Sequence, residues 1–220
     1  MLSWIAKGLS VVFHPLLLPT YMLFILMVVN PYLFGVNSYQ EPTAHMQLLL
    51  VFLYTFFMPA TIVLVMYFLG FIRSFQMKDK EERIGPYLIT GMLYLWVYYN
   101  FSKTGQMPPA YVSFMLGAVI ALFVAFLINI FTKISAHAVG MGGLLGMVVI
   151  TMLWFSYGSF ALPGTDMLDI NVLYLLMATL LVAGAVGTAR LYLKAHEPSD
   201  LVGGYFIGFV TQFLAFAFVF

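Results

Sequence analysis

Residues 109–131, PAYVSFMLGAVIALFVAFLINIF, decide how the rest of this chain is read. The stretch holds no Asp, Glu, Lys, Arg or His, opens on Pro109 and stops two residues before Lys133. An α-helix needs about 20 apolar residues to cross the hydrocarbon core of a bilayer, and this run supplies them without a polar face. The composition around it agrees: the chain has 220 residues, 63% hydrophobic and 8% charged. A soluble domain carries roughly 25% charged residues. The expected fold class is therefore an all-α integral membrane protein, one domain over residues 1–220, built as a polytopic bundle of about seven (six to seven) transmembrane helices.

Working outward from residues 109–131, further spans are expected at about Leu9–Asn30, Met46–Gly70, Pro86–Phe101, Ser135 to Trp154–Gly158, Ile170–Thr188 and Leu201–Phe220. Pro15 and Pro19 predict a kink or broken turn early in the first span, and Pro59 a kink within the second. The span from Pro86 is short and ends in Tyr94, Trp96, Tyr98 and Tyr99, which read as an aromatic belt at the membrane boundary. The opening residues Met1–Gly8 run into an apolar segment without a small-residue cleavage site and read as part of a retained first span. With no cysteine, disulfide and thiolate chemistry are excluded, and a net charge of +1 gives no pointer to nucleic acid.

Ionisable side chains are costly in a bilayer and rarely kept there without a role, so the few present carry the functional reading. They cluster at three stations. Phe71 to Gly85 holds Arg73, Lys78, Asp79, Lys80, Glu81, Glu82 and Arg83; Lys133, Ser135 and His137 open one span; Arg190, Lys194, His196 and Asp200 sit between the last two. An even number of crossings separates each station from the next, which places all three on one membrane face. Pro198 suits the first turn of a helix, with Asp200 in that turn and His196 just before it, a spacing at which the carboxylate can fix the imidazole tautomer. Ser135 reads as a helix N-cap, with free N–H groups behind it that favour a phosphate. Gly140, Gly142, Gly143 and Gly146 on one span and Gly203, Gly204 and Gly208 on another are small-residue faces that would let His137 and His196 approach. His14, beside Pro15, reads as a boundary imidazole bonded to backbone freed by the proline.

Arg190, five residues, His196, three residues and Asp200 resemble the third signature of the type 2 phosphatidic acid phosphatase superfamily, with Ala189 in place of its leading Ser. Ile134-Ser135-Ala136-His137 resembles the second signature, Pro-Ser-Gly-His, keeping Ser and His. Lys78, six residues, Gly85 and Pro86 match the spacing of the first, with Gly85 where the family has Arg and Arg83 two residues earlier. The resemblance covers about the last 150 residues. It implies a metal-independent membrane phosphatase acting on a lipid phosphate, with no cofactor: His196 as nucleophile, Asp200 orienting it, His137 as acid and base, and Lys78, Arg83, Ser135 and Arg190 binding phosphate. It also implies a site on the periplasmic or luminal side. The basic residues point the other way: Lys7, Arg73, Lys78, Lys80, Arg83, Lys133, Arg190 and Lys194 share the motif face and Lys103 lies opposite, which puts the site and N-terminus in the cytoplasm of a plasma membrane such as the bacterial inner membrane. Two other readings stay open: a transporter or lipid-handling protein using the same charges as a relay, or an inactive relative of the phosphatases. His196 and Asp200 as metal ligands would need further convergent ligands, which the sequence does not supply.

Overall fold

The computed structural model describes every residue except Met1, Gln76, Lys78, Lys80 and residues 162–168. Its helices, in chain order, are α1 (Leu2–Val12), α2 (Leu18–Val29), α3 (Pro42–Phe52), α4 (Met58–Phe68), α5 (Ile84–Thr104), α6 (Pro109–Phe131), α7 (Ala136–Ile150), α8 (Val172–Tyr192) and α9 (Pro198–Val219). A small antiparallel ribbon, β1 (Ser159–Ala161) with β2 (Asp169–Asn171), flanks the loop between α7 and α8. Six helical stretches are long and apolar enough to cross a membrane: residues 2–29, 42–68, 109–131, 136–155, 172–192 and 198–219. The protein is an all-α polytopic membrane protein.

α5 is as long as the others, at 21 residues, but carries Tyr94, Tyr98, Tyr99, Asn100, Ser102 and Lys103. It ends at Gly105 in the left-handed conformation (φ 65°), where a side chain would be strained, and returns directly as α6, against which it packs closely. The tight hairpin makes the two run side by side, and Arg83, His137, Arg190 and His196 come together at one cavity.

The first span differs from its expected bounds. Helix begins at Leu2, breaks at Phe13–His14, makes a 3₁₀ turn over Pro15–Leu17 and resumes as α2. α2 reaches the far end of the α7 segment, where Asn30 donates from Nδ2 to the Phe155 carbonyl (2.9 Å). α1 is the first part of the same 2–29 stretch and packs on α8, with its Ala6 and Ser10 buried.

At Pro59 the structure shows a wider turn where a kink was expected. The helix widens into a π turn over Leu53–Phe57 just before it. Proline has no N–H for the Thr55 carbonyl four residues back, and the Tyr94 hydroxyl donates to that oxygen instead (3.1 Å). Tyr94 is thus buried at mid-helix and not part of a boundary belt, unlike the exposed Trp96 and Tyr99.

α7 and α9 form the most extensive helix pair, with α6 packed on α9 beside them. Lipid gives no hydrophobic drive for helix association, so close backbone contact has to supply it. A β-carbon on Gly208 would strike the Val139 carbonyl, and one on Gly142 the Tyr205 carbonyl; Gly204 sits over Ala138 and the Ser135 carbonyl. The expected glycine contact is present, with Gly203 left outside it and Gly140 turned instead to Leu18 and Pro15. Met22, Leu26, Tyr111, Met115, Met141 and Met147 fill the centre, while Phe131, Leu181, Phe206 and Phe218 face outward, as a lipid-facing rim requires.

Candidate functional site

The turn between α8 and α9 is set by local chemistry. Lys194 N–H donates to the Leu191 carbonyl (2.9 Å) and Ala195 N–H to the Arg190 carbonyl (3.1 Å), with Lys194 left-handed at φ 51°. This paired pattern closes a helix C-terminus and reverses the chain. α9 then starts with Glu197 as N-cap, Pro198 in the first position and a reciprocal capping box between Glu197 and Asp200. Asp200 Oδ2 accepts from Glu197 N–H (3.2 Å) and from His196 Nδ1 (3.2 Å). The acceptor fixes the proton on Nδ1, which leaves the Nε2 lone pair free.

Burial pushes the His196 imidazole down to about 4; the Asp200 hydrogen bond opposes this, and the positive charges of Arg190 and Arg83 add to it. The ring is therefore neutral near pH 7, as a nucleophile must be. Its side chain is only 5% exposed.

The start of α7 is tied to this turn by Ser135 N–H, which donates to the Asp200 carbonyl (3.3 Å). The two helices that bear His137 and His196 therefore begin side by side. Ser135 caps α7, its Oγ accepting from Ala138 N–H (3.4 Å), as expected of it. In that position it is fully buried and does not line the cavity described below, so its hydroxyl is removed from the phosphate-binding set. The first-turn amides of Ala136 and His137, which no intrahelical carbonyl can serve, belong to residues that do line it.

α1 and the turn after it add residues that the motifs do not include. The Ser10 carbonyl accepts from His137 Nε2 (2.9 Å), and Ser10 Oγ accepts from Arg190 Nη1 (3.3 Å). His14 bonds to backbone, but as a cap: its Nδ1 accepts from Leu16 N–H (3.3 Å) and does not meet a carbonyl freed by Pro15, and its ring also meets His137 edge to face at 5.7 Å. Arg83, at the start of α5, donates from Nε to the Met77 carbonyl (2.8 Å). Among the described residues, neither Arg83 nor Arg190 has a carboxylate within ion-pair distance, and the buried Arg190 Nε has no partner. Lys78 lies outside the described residues.

These groups surround the mouth of one cavity of about 660 Å³, lined by Arg83, His137, Arg190, His196 and His14. Its walls run inward over apolar side chains including Phe56, Val63, Leu122 and Phe114 to Thr90, Tyr94 and Gln212. Gln212 is buried, neither amide atom has a partner among the described residues, and it sits against Gly117, Gly143 and Gly146. A slot cleared by glycines on two other helices gives no local sequence signal. Among the described residues, no three His, Asp or Glu side chains are grouped as metal ligands. Chemically, the arrangement offers two uncompensated cations and a neutral, carboxylate-held imidazole where a polar mouth meets an apolar channel.

Comparison of the chain with protein-family models, with curated proteins and with solved structures returns no match.

Proposed function

We propose that this protein is a membrane lipid phosphate phosphatase of the type its three motifs resemble. One observation carries the reading: the guanidinium groups of Arg83 and Arg190, without carboxylate partners among the described residues, flank the His196–Asp200 pair at the mouth of an apolar cavity. Two half-buried cations that have no counter-ion among the described residues call for an anion, and apolar walls behind them call for a hydrocarbon chain on it. No family model matches, so the resemblance rests on the residues quoted.

In this reading His196 Nε2 attacks phosphorus, the bond to the lipid oxygen breaks, and a phosphohistidine forms. Asp200 holds the ring and stabilises the positive charge that develops on it. Arg83 and Arg190 neutralise the equatorial oxygens, where most of the rate enhancement arises. The resemblance assigns His137 the proton for the leaving oxygen and the activation of the water that releases phosphate; with Nε2 held on the Ser10 carbonyl, Nδ1 is the atom that would take up and give that proton. A phosphomonoester or pyrophosphate lipid, of phosphatidic acid, phosphatidylglycerol phosphate or prenyl pyrophosphate type, suits the cavity. The spread of basic residues favours a cytoplasmic mouth.

The test is phosphate release from a panel of such lipids in mixed micelles by the purified protein. Release that vanadate inhibits and that His196→Ala abolishes supports the enzyme. Absence of release across the panel favours a transporter or an inactive relative.

A further inference from the structure

Within the cavity, His14 is the one imidazole that neither the motifs nor the chemistry above employs. We propose that His14 is a ligand-binding residue of the same site, donating its Nε2–H to an oxygen of the bound phosphate; this rests on the phosphate reading. The tautomers follow from the partners. A backbone N–H can only donate, so the Leu16 N–H at His14 Nδ1 leaves that nitrogen bare and puts the ring proton on Nε2. A carbonyl can only accept, so the Ser10 oxygen at His137 Nε2 engages the proton of a neutral His137. Of two neutral rings in contact at 5.7 Å, His14 is thus the one with an N–H left over.

That N–H has no protein acceptor among the described residues, and His14 lines the cavity beside Arg190, His137 and His196. That donor is open to a ligand or water in the cavity, beside the two guanidinium groups. The ring is also held in place. Pro15, in the turn that follows, and Leu18, at the start of α2, pack on α7 so closely that a β-carbon at Gly140 would lie 2.5 Å from Leu18 and 3.6 Å from Pro15. His14 therefore adds a neutral, directional donor to two guanidinium groups around one tetrahedral anion, a set with one donor side chain for each equatorial oxygen.

Two substitutions separate this role from a merely structural one. His14→Asn keeps an acceptor where Nδ1 lies, so Leu16 N–H stays served, but removes the donor at Nε2. His14→Gln gives up the Leu16 bond and places an amide N–H near the lost Nε2 position. The full-length protein in detergent is titrated with orthovanadate, a phosphate analogue, by thermal shift, and lipid phosphate hydrolysis is measured alongside. The expected result is about tenfold weaker vanadate binding for His14→Asn, the effect of one lost hydrogen bond, with an unliganded Tm near that of the parent chain. His14→Gln is expected to keep vanadate affinity closer to the parent in spite of a lower Tm. If His14→Asn binds vanadate like the parent while His14→Gln loses it, His14 is only a backbone cap and the proposal is wrong. If the parent hydrolyses lipid phosphate and His14→Asn matches it in rate and vanadate affinity, this inference alone fails. A parent chain that neither binds vanadate nor releases phosphate removes the phosphate reading and this proposal together.

Discussion

Two segments deliver a guanidinium to the same cavity, and they are built differently. Arg190 stands on the last turn of α8, ahead of a closed helix end, a left-handed Lys194 and a capping box, and its own Nη1 reaches Ser10 on α1. Arg83 is held by its own loop: Nε donates to the Met77 carbonyl, and the neighbouring Glu82 accepts from Arg73 N–H (2.9 Å). The first arm is part of the helix framework, so the same bonds that place the site also stabilise the fold. The second arm can change without disturbing the bundle. Substitutions in the two arms should therefore separate: activity and stability fall together on the α8–α9 side, and activity alone falls on the loop side.

The largest effect is expected at the hinge of the first arm. Asp200→Ala removes both the His196 partner and one half of the capping box, so kcat for lipid phosphate should fall about a thousandfold. Stability should drop by about 1 kcal/mol, the usual cost of a lost helix cap, read from Tm. Arg83→Ala comes next: about 2 kcal/mol or more of transition-state stabilisation, measured as kcat/KM, with Tm unchanged. An unchanged rate would mean that Arg83 does not stand in for the arginine whose place Gly85 occupies.

The pH profile distinguishes the arms further. His196 works only when neutral, and its ring lies near 4, so the acid limb of kcat/KM should fall well below the 6.5 of a free histidine. Arg190→Leu removes a charge that lowers the ring and should move that limb up. Asp200→Asn removes an influence that raises it and should move the limb down, so opposite shifts in the two variants are the signature. The smallest effect is expected at Lys194, whose φ of 51° suits glycine better. Lys194→Gly should leave stability equal or raise it by about 0.5 kcal/mol in chemical denaturation, with activity unchanged.

The first arm was legible in the sequence because its geometry is local: Pro198 in the first helical turn and Asp200 one turn from His196 dictate the cap and the hydrogen bond without help from elsewhere. The six long apolar helices were legible for a similar reason, since length and apolarity set them. What the sequence did not yield depends on contacts between distant segments. Ser10 reaches His137 across 127 positions, and nothing near either residue announces it. A backbone bond for His14 was legible from Pro15, though its partner is the Leu16 N–H, and its place beside His137 depends on the break between α1 and α2. Tyr94 was misplaced because α5 runs to Thr104, beyond the expected end at Phe101, and because the carbonyl it serves is freed by Pro59 on another helix.

Transfer of phosphorus to His196 is the step on which this account depends, and trapping it is the most direct measurement. The purified protein is mixed with a lipid phosphate labelled at phosphorus, quenched within the first turnover and digested under alkaline conditions that preserve phosphohistidine. The account predicts an acid-labile label on the peptide that contains His196, present with Arg83→Ala at a lower rate and absent with His196→Ala. Phosphate release without any label on that peptide, or label persisting in His196→Ala, would contradict it.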